Sequence, residues 1–121
     1  MQFIALIYQS EKKTQGFTKD EWGKIYAEYQ AVGREMGEKG QLKAGHGLQP
    51  VASARTVRSR DGKVVVSEGP CFQTEDQLSG VNLLEAPDLE SAVQLAAKFP
   101  SARWGSIEVR PLMEYKGSST E

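Results

Sequence analysis

Apolar and polar positions recur along this chain at two different periods, and the switches between them mark its elements. Residues 3–8 (FIALIY) are apolar without interruption. That is the pattern of a strand covered on both faces, since either face would otherwise leave hydrocarbon in water. From residue 18 the period lengthens. Trp22, Ile25, Tyr26, Tyr29, Val32 and Met36 recur at steps of three and four and so share one helical face. Thr18 is a natural N-cap for this helix, Glu21 completes a capping box, and Phe17 and Trp22 are spaced for a hydrophobic staple. Gly33 and Gly37 weaken it or permit close packing, and Gly40 is its stop.

Residues 41–50 (QLKAGHGLQP) are glycine-rich and predict an edge strand over Leu42 to Leu48, ended by Pro50. Two β-branched runs then flank Asp61-Gly62, the dipeptide preferred where both central residues of a hairpin turn need positive φ. That turn sets Arg60 opposite Lys63 and Val57 opposite Val66. A short helical turn is expected at residues 74–77, where Thr74 and Gln77 have capping-box spacing. Residues 80–86 (GVNLLEA) predict another strand. Asp88 caps a second helix whose apolar face reads Leu89, Ala92, Val93, Ala96 and Phe99, and Pro100 ends it. Ile107 and Val109 alternate with Glu108 and Arg110 in a final strand. The tail at residues 116–121 (KGSSTE) is expected to be disordered, which leaves one domain over residues 1–115.

With the hairpin set aside as an insertion, the order is βαββαβ, an α+β ferredoxin-like unit in which both helices cover one face of the sheet. The other face stays open, yet residues 3–8 are apolar on both sides. A homodimer packed sheet to sheet resolves that conflict.

Composition narrows the function classes. The chain has 121 residues, 15 basic and 16 acidic, for a formal net charge of -1. Nucleic-acid binding needs a basic surface to displace counterions, and no polybasic membrane patch is present, so neither partner is expected. One cysteine and one histidine exclude a disulfide framework and a cysteine-based zinc site. No metal cluster, phosphate loop or nucleotide fingerprint occurs, so no cofactor is expected. The six-residue apolar run near the N-terminus has no basic lead and no cleavage site, and reads as a buried strand of a cytoplasmic protein.

Residues 47–85 resemble the central segment of the YCII-related proteins that carry a DGPF motif. The resemblance rests on Gly47-Leu48, Pro50, Ala54, Thr56-Val57-Arg58, Asp61-Gly62, Gly69-Pro70, Thr74, Gln77-Leu78 and Gly80. Residues 1–8 and 105–112 resemble the family's opening and closing strands. The motif's Asp-Gly-Pro-Phe stands here as Glu68-Gly69-Pro70-Cys71, with the carboxylate one methylene further out and the aromatic replaced by a thiol. The resemblance implies a dimeric α+β barrel. It also implies either an enzyme acting on small organic molecules or a regulatory role linked to sigma factors.

Within that frame Glu68 is the first candidate acid/base, on a corner whose backbone Gly69 and Pro70 make reproducible. Its alternative role is to accept hydrogen bonds that hold the corner's shape. His46, the only side chain whose unperturbed pKa is near neutrality, is the second candidate, against a solvated loop position. Arg58, Gly69, Pro70, Cys71 and Thr74 are candidate ligand-binding residues. Cys71 has the alternative of a small buried side chain, and Arg58 and Arg110 that of a solvated sheet face. Trp22, Tyr26 and Tyr29 either line a pocket or, more simply, pack on the sheet.

Overall fold

A computed structural model describes residues 1–114; the expected tail at residues 116–121 lies outside them. In chain order the elements are β1 (Gln2–Ser10), a short helix α1 (Glu11–Gln15), α2 (Lys19–Glu38), β2 (Leu42–Gly47), β3 (Arg55–Arg60), β4 (Lys63–Glu68), β5 (Asp76–Glu85), α3 (Leu89–Ala96) and β6 (Ser106–Pro111). The uninterrupted apolar run becomes a central strand. β1 pairs antiparallel with β5 on one side and β6 on the other, and the four-stranded sheet has the order β2-β5-β1-β6. This is the ferredoxin-like arrangement, and β3–β4 is the inserted hairpin, a separate two-stranded sheet.

The hairpin forms in the expected register, with Arg60 opposite Lys63 and Val57 opposite Val66. Asp61 and Gly62 take φ of 52° and 78°, the positive pair that the tight turn requires. α2 starts where the caps place it. Thr18 Oγ1 accepts from the Glu21 N–H at 3.1 Å, and the Glu21 carboxylate accepts from the Thr18 N–H at 2.8 Å. Its end is a Schellman motif: Gly40 has φ of 71°, its N–H donates to Gly37 and the Gln41 N–H donates to Met36.

The core lies between the helices and one face of the sheet. Phe3, Ala5 and Leu84 from the strands meet Met36 of α2, Ala92, Leu95 and Ala96 of α3, and Phe99. Alternation puts Ile4, Leu6, Val81 and Leu83 on the opposite face, where they remain half-buried.

Three expectations are corrected. The buried face of α3 is Ala92, Leu95, Ala96 and Phe99, while Leu89 and Val93 are 46% and 48% exposed. Both sets have helical spacing, and the sheet selects the set that contains Leu95. No helical turn forms at residues 74–77, because Thr74 Oγ1 donates to Asp76 O and Gln77 Nε2 donates to Phe72 O. α1 is an element that periodicity did not predict; Ser10 caps it by accepting from the Lys13 N–H at 3.2 Å. Among the described residues no helix is long and apolar enough to cross a membrane.

Candidate functional site

Glycines leave one part of the sheet bare beneath α2. Gly45 and Gly47 of β2 and Gly80 of β5 stand opposite the aromatic residues of the helix, and a cavity of about 500 Å³ remains between them. Trp22, Tyr26 and Tyr29 from α2, with Phe99 and Trp104, form its walls, and Ile7 and Leu42 lie below. The simpler expectation, that Trp22, Tyr26 and Tyr29 pack on the sheet, holds for Tyr29, which packs against the core and stacks on Phe99. It is corrected for Trp22 and Tyr26, which are 44% and 63% exposed. The staple residue Phe17 stands edge-on to both tryptophans, at 5.6 Å from Trp22 and 5.1 Å from Trp104 between ring centroids.

The polar groups are held in short chains. Trp104 Nε1 donates to Gln9 Oε1 at 2.6 Å, Gln9 Nε2 donates to Ser79 Oγ at 2.9 Å, and Ser79 Oγ donates to Ile7 O at 3.3 Å. Ser79 is available for this because the β1–β5 register shifts there: Ile7 faces Gly80 while Tyr8 faces Leu78. The Tyr29 hydroxyl bonds the Ser101 hydroxyl and accepts from the Ser101 N–H. Burial pushes the Tyr29 phenol up and its hydrogen bonds to Ser101 partly oppose this, so the hydroxyl keeps its proton at neutral pH. The side-chain amide of Asn82 also lines the cavity and has no hydrogen-bond partner among the described residues.

At the side of the site Arg103 makes a bidentate pair with Glu28, at 2.9 and 2.8 Å, and its guanidinium carbon lies 5.5 Å from the Trp104 ring centroid. The bonds from Arg103 hold the Glu28 carboxyl below its ordinary range, and those from Glu28 hold the guanidinium up. The two charges therefore answer each other and leave the cavity uncharged.

The sequence-derived candidates fall elsewhere. Glu68, at the end of β4, does not line this cavity; its side chain is 86% exposed and stands 3.9 Å from Arg55. The corner itself is well held. Gly69 has φ of 92°, its N–H donates to Ala54 O, and its carbonyl accepts from Thr56 Oγ1 at 2.9 Å. Cys71 is exposed, correcting the expectation of a small buried side chain, and Phe72 beside it is 72% exposed. Among the described residues no element packs over the corner, so the thiol has nothing there to be buried against. Pro70 follows the turn, Arg58 is half-buried with no ion pair among the described residues, and Thr74 serves its own loop.

His46 is among the residues around the cavity, but the pleat turns its imidazole away. Gly45 faces Asn82 on the helix side, so His46, opposite Val81, projects to the other face of the sheet. His46 and Glu68 are thus not brought together with the aromatic walls. Asn82, Ser79, Gln9 and Trp104 were not singled out by sequence. Asn82 had a readable signal, as a polar residue within the apolar run at residues 81–84 of β5. The three glycines opposite an aromatic helix face were a second.

A larger depression of about 590 Å³ lies beside Met1, Gln41 and Lys98. Its charged groups are solvated, and the N-terminal amine is paired with Glu85 at 2.6 Å. Among the described residues no group of three or more His, Cys, Asp or Glu is placed to hold a metal ion.

Residues 1–116 match the YCII-related domain. An uncharacterized protein of Rhizobium meliloti is 34% identical over 118 residues, which cover 96% of this chain and 95% of that one. A solved structure of 5-chloro-2-hydroxyhydroquinone dehydrochlorinase from Burkholderia phenoliruptrix, in complex with 2,5-dihydroxybenzoquinone, covers 98% of this chain and 100% of its own. At a TM-score of 0.55 and 14% identity it shares the fold.

Proposed function

Since the chain belongs to the YCII-related family, we propose that it is a homodimeric small-molecule-binding protein of the DGPF-motif subgroup, with its ligand site beneath α2. The observation that carries this reading is the aromatic-walled cavity of about 500 Å³. Its size and its few convergent polar groups are those of small-molecule sites generally. The fold neighbour's activity on a ring compound is consistent with the same use of the fold.

An acid/base step is proposed for Glu68 and His46 in the dimer alone. Both are exposed in one chain. A carboxylate or imidazole gains the burial that tunes it for proton transfer only when something covers it. The open face bearing His46 with Ile4, Leu6, Val81 and Leu83 is where a second copy would pack.

The test is a thermal-shift screen with small organic compounds on the intact protein. A ligand that binds only the folded state raises the melting temperature with its concentration. Hits should lose most of that gain in Trp22→Ala. Absence of any hit, or hits that stabilise Trp22→Ala equally, would remove the cavity from the reading. With a turnover assay in hand, Glu68→Gln should abolish the reaction and leave the dimer intact.

One observation favours a second, non-catalytic reading. Val57, Val64 and Val66 share one face of the hairpin and are 64%, 68% and 59% exposed. Such an arm would suit a regulatory module that docks a partner protein. In that case Val66→Glu would abolish partner binding while ligand-induced thermal shifts stay as they are.

A further inference from the structure

We propose that the cavity beneath α2 selects an uncharged planar ring bearing a hydroxyl or carbonyl group, and that Asn82 sets this preference by hydrogen bonding to it; this rests on the cavity being the ligand site. Three features of the cavity point there. No lining residue is Asp, Glu, Lys or Arg, and the one imidazole nearby projects to the opposite face of the sheet. An ion entering would leave water without a countercharge, at a cost that a neutral molecule avoids. The adjoining Glu28–Arg103 pair offers no help, because each charge already answers the other.

Planarity follows from the walls. Five aromatic side chains, Trp22, Tyr26, Tyr29, Phe99 and Trp104, line the space between helix and sheet. Stacked or edge-on aromatic contacts add to simple burial, and a saturated ring of the same size cannot make them.

The hydrogen-bonding group follows from what is left unused. Gln9, Ser79, Ser101, Tyr29 and Trp104 are committed to one another. Two lining groups have no partner among the described residues: the Tyr26 hydroxyl, on a side chain 63% exposed at the rim, and the Asn82 amide, which stands deeper and keeps both its carbonyl oxygen and its two amide protons free. The backbone makes room for it. A Cβ on Gly45 would sit 2.6 Å from Asn82 Oδ1, so glycine at that position is what lets the amide stand upright in the cavity. An amide with both functions available matches a phenolic hydroxyl or a ring carbonyl equally well.

The test uses phenol, cyclohexanol and benzoate as probes, followed in proton–nitrogen correlation spectra of the full-length protein. The chain has two tryptophans, Trp22 and Trp104, and both line the cavity, so their indole N–H signals report occupancy directly. Phenol is expected to shift both signals saturably, and cyclohexanol and benzoate to bind at least about tenfold more weakly. Asn82→Ala should weaken phenol about threefold to tenfold, the range for one neutral hydrogen bond. Gly45→Ala, whose methyl displaces only the tip of the amide, should do the same with a melting temperature near the parent's. Benzoate binding more tightly than phenol would overturn the uncharged class while leaving the cavity as the site. Equal binding of cyclohexanol would overturn the planar requirement, and unchanged phenol affinity in Asn82→Ala would overturn the role of that residue. If no probe moves either indole signal, both this inference and the cavity reading fall.

Discussion

Tyr29 serves two purposes at the cavity wall, and its hydroxyl is the more exacting of them. It is the partner of Ser101, which is only 1% exposed. Tyr29→Phe leaves a buried hydroxyl without its bond and should cost about 1–3 kcal/mol, read as a lower denaturation midpoint at unchanged slope. The same residue sets an alkaline limit. Burial raises its phenol, so the folded protein holds that proton more tightly than the unfolded chain does. Its contribution is complete below the ordinary tyrosine value of 10.0 and is lost as pH rises through the raised one. Melting temperature should therefore fall less steeply above about pH 10 in Tyr29→Phe than in the parent. Gly105 is a stricter case. A Cβ there would lie 2.3 Å from the Tyr8 carbonyl oxygen and 3.0 Å from Gln9 Cβ. The contact is with a paired strand's backbone, which cannot swing aside as the Asn82 amide can at Gly45. Gly105→Ala should destabilise by about 1–3 kcal/mol and disturb Gln9, which a shifted Trp104 indole signal would report.

At the scale of elements, the contacts that fix α2 also fix the cavity, since the helix is one of its walls. The capping box at Thr18 determines where the helix begins, and Thr18→Ala should cost about 1 kcal/mol with a ligand site otherwise intact. The other anchor is the Glu28–Arg103 pair between α2 and the turn at residues 100–103. Glu28 is held low by Arg103, and Asp88 by the Ser91 N–H that it caps. Folded carboxyls that release their protons so readily stabilise above the ordinary carboxylate range, and that help disappears as pH falls through the lowered values. The melting advantage of the parent over Arg103→Ala should be largest near neutrality and shrink below about pH 4. Caps, the Asp61-Gly62 turn and the apolar run of β1 were all legible in the sequence, because each depends on neighbours a few residues away. The choice between Leu89 and Leu95 as the inward side of α3 was not, since helical spacing allows both and only the sheet decides. The cavity beneath α2 was half-legible for a similar reason. Its aromatic helix face and its glycines are visible separately, but that they oppose each other follows from β2 pairing with β5 some forty residues away. The motif corner drew attention to Glu68 instead, whose surroundings in one chain are mostly solvent.

The whole molecule is unfinished on one side. Ile4, Leu6, Val81 and Leu83 are paired across the open face of the sheet, and the hairpin adds exposed valines. Contiguous apolar area of this kind is seldom left in water. A second copy would offer the same face in return, and a two-fold arrangement would let Leu6 of each protomer meet an apolar counterpart. Sedimentation should show a dimer in the parent and a monomer in Leu6→Glu, because a carboxylate at the centre of the interface would be buried without a partner. Unshifted Trp22 and Trp104 indole signals would show that the variant has kept its fold, as both lie on the far side of the sheet. A dimer that survives Leu6→Glu but dissociates in Val66→Glu would move the interface from the sheet to the hairpin. The distinction bears on chemistry. If the sheet-to-sheet dimer covers His46 and the corner at Glu68, Leu6→Glu should lose any turnover together with the dimer, yet still bind phenol through Asn82. Binding that survives while turnover vanishes would separate a ligand site made by one chain from an acid/base site made by two.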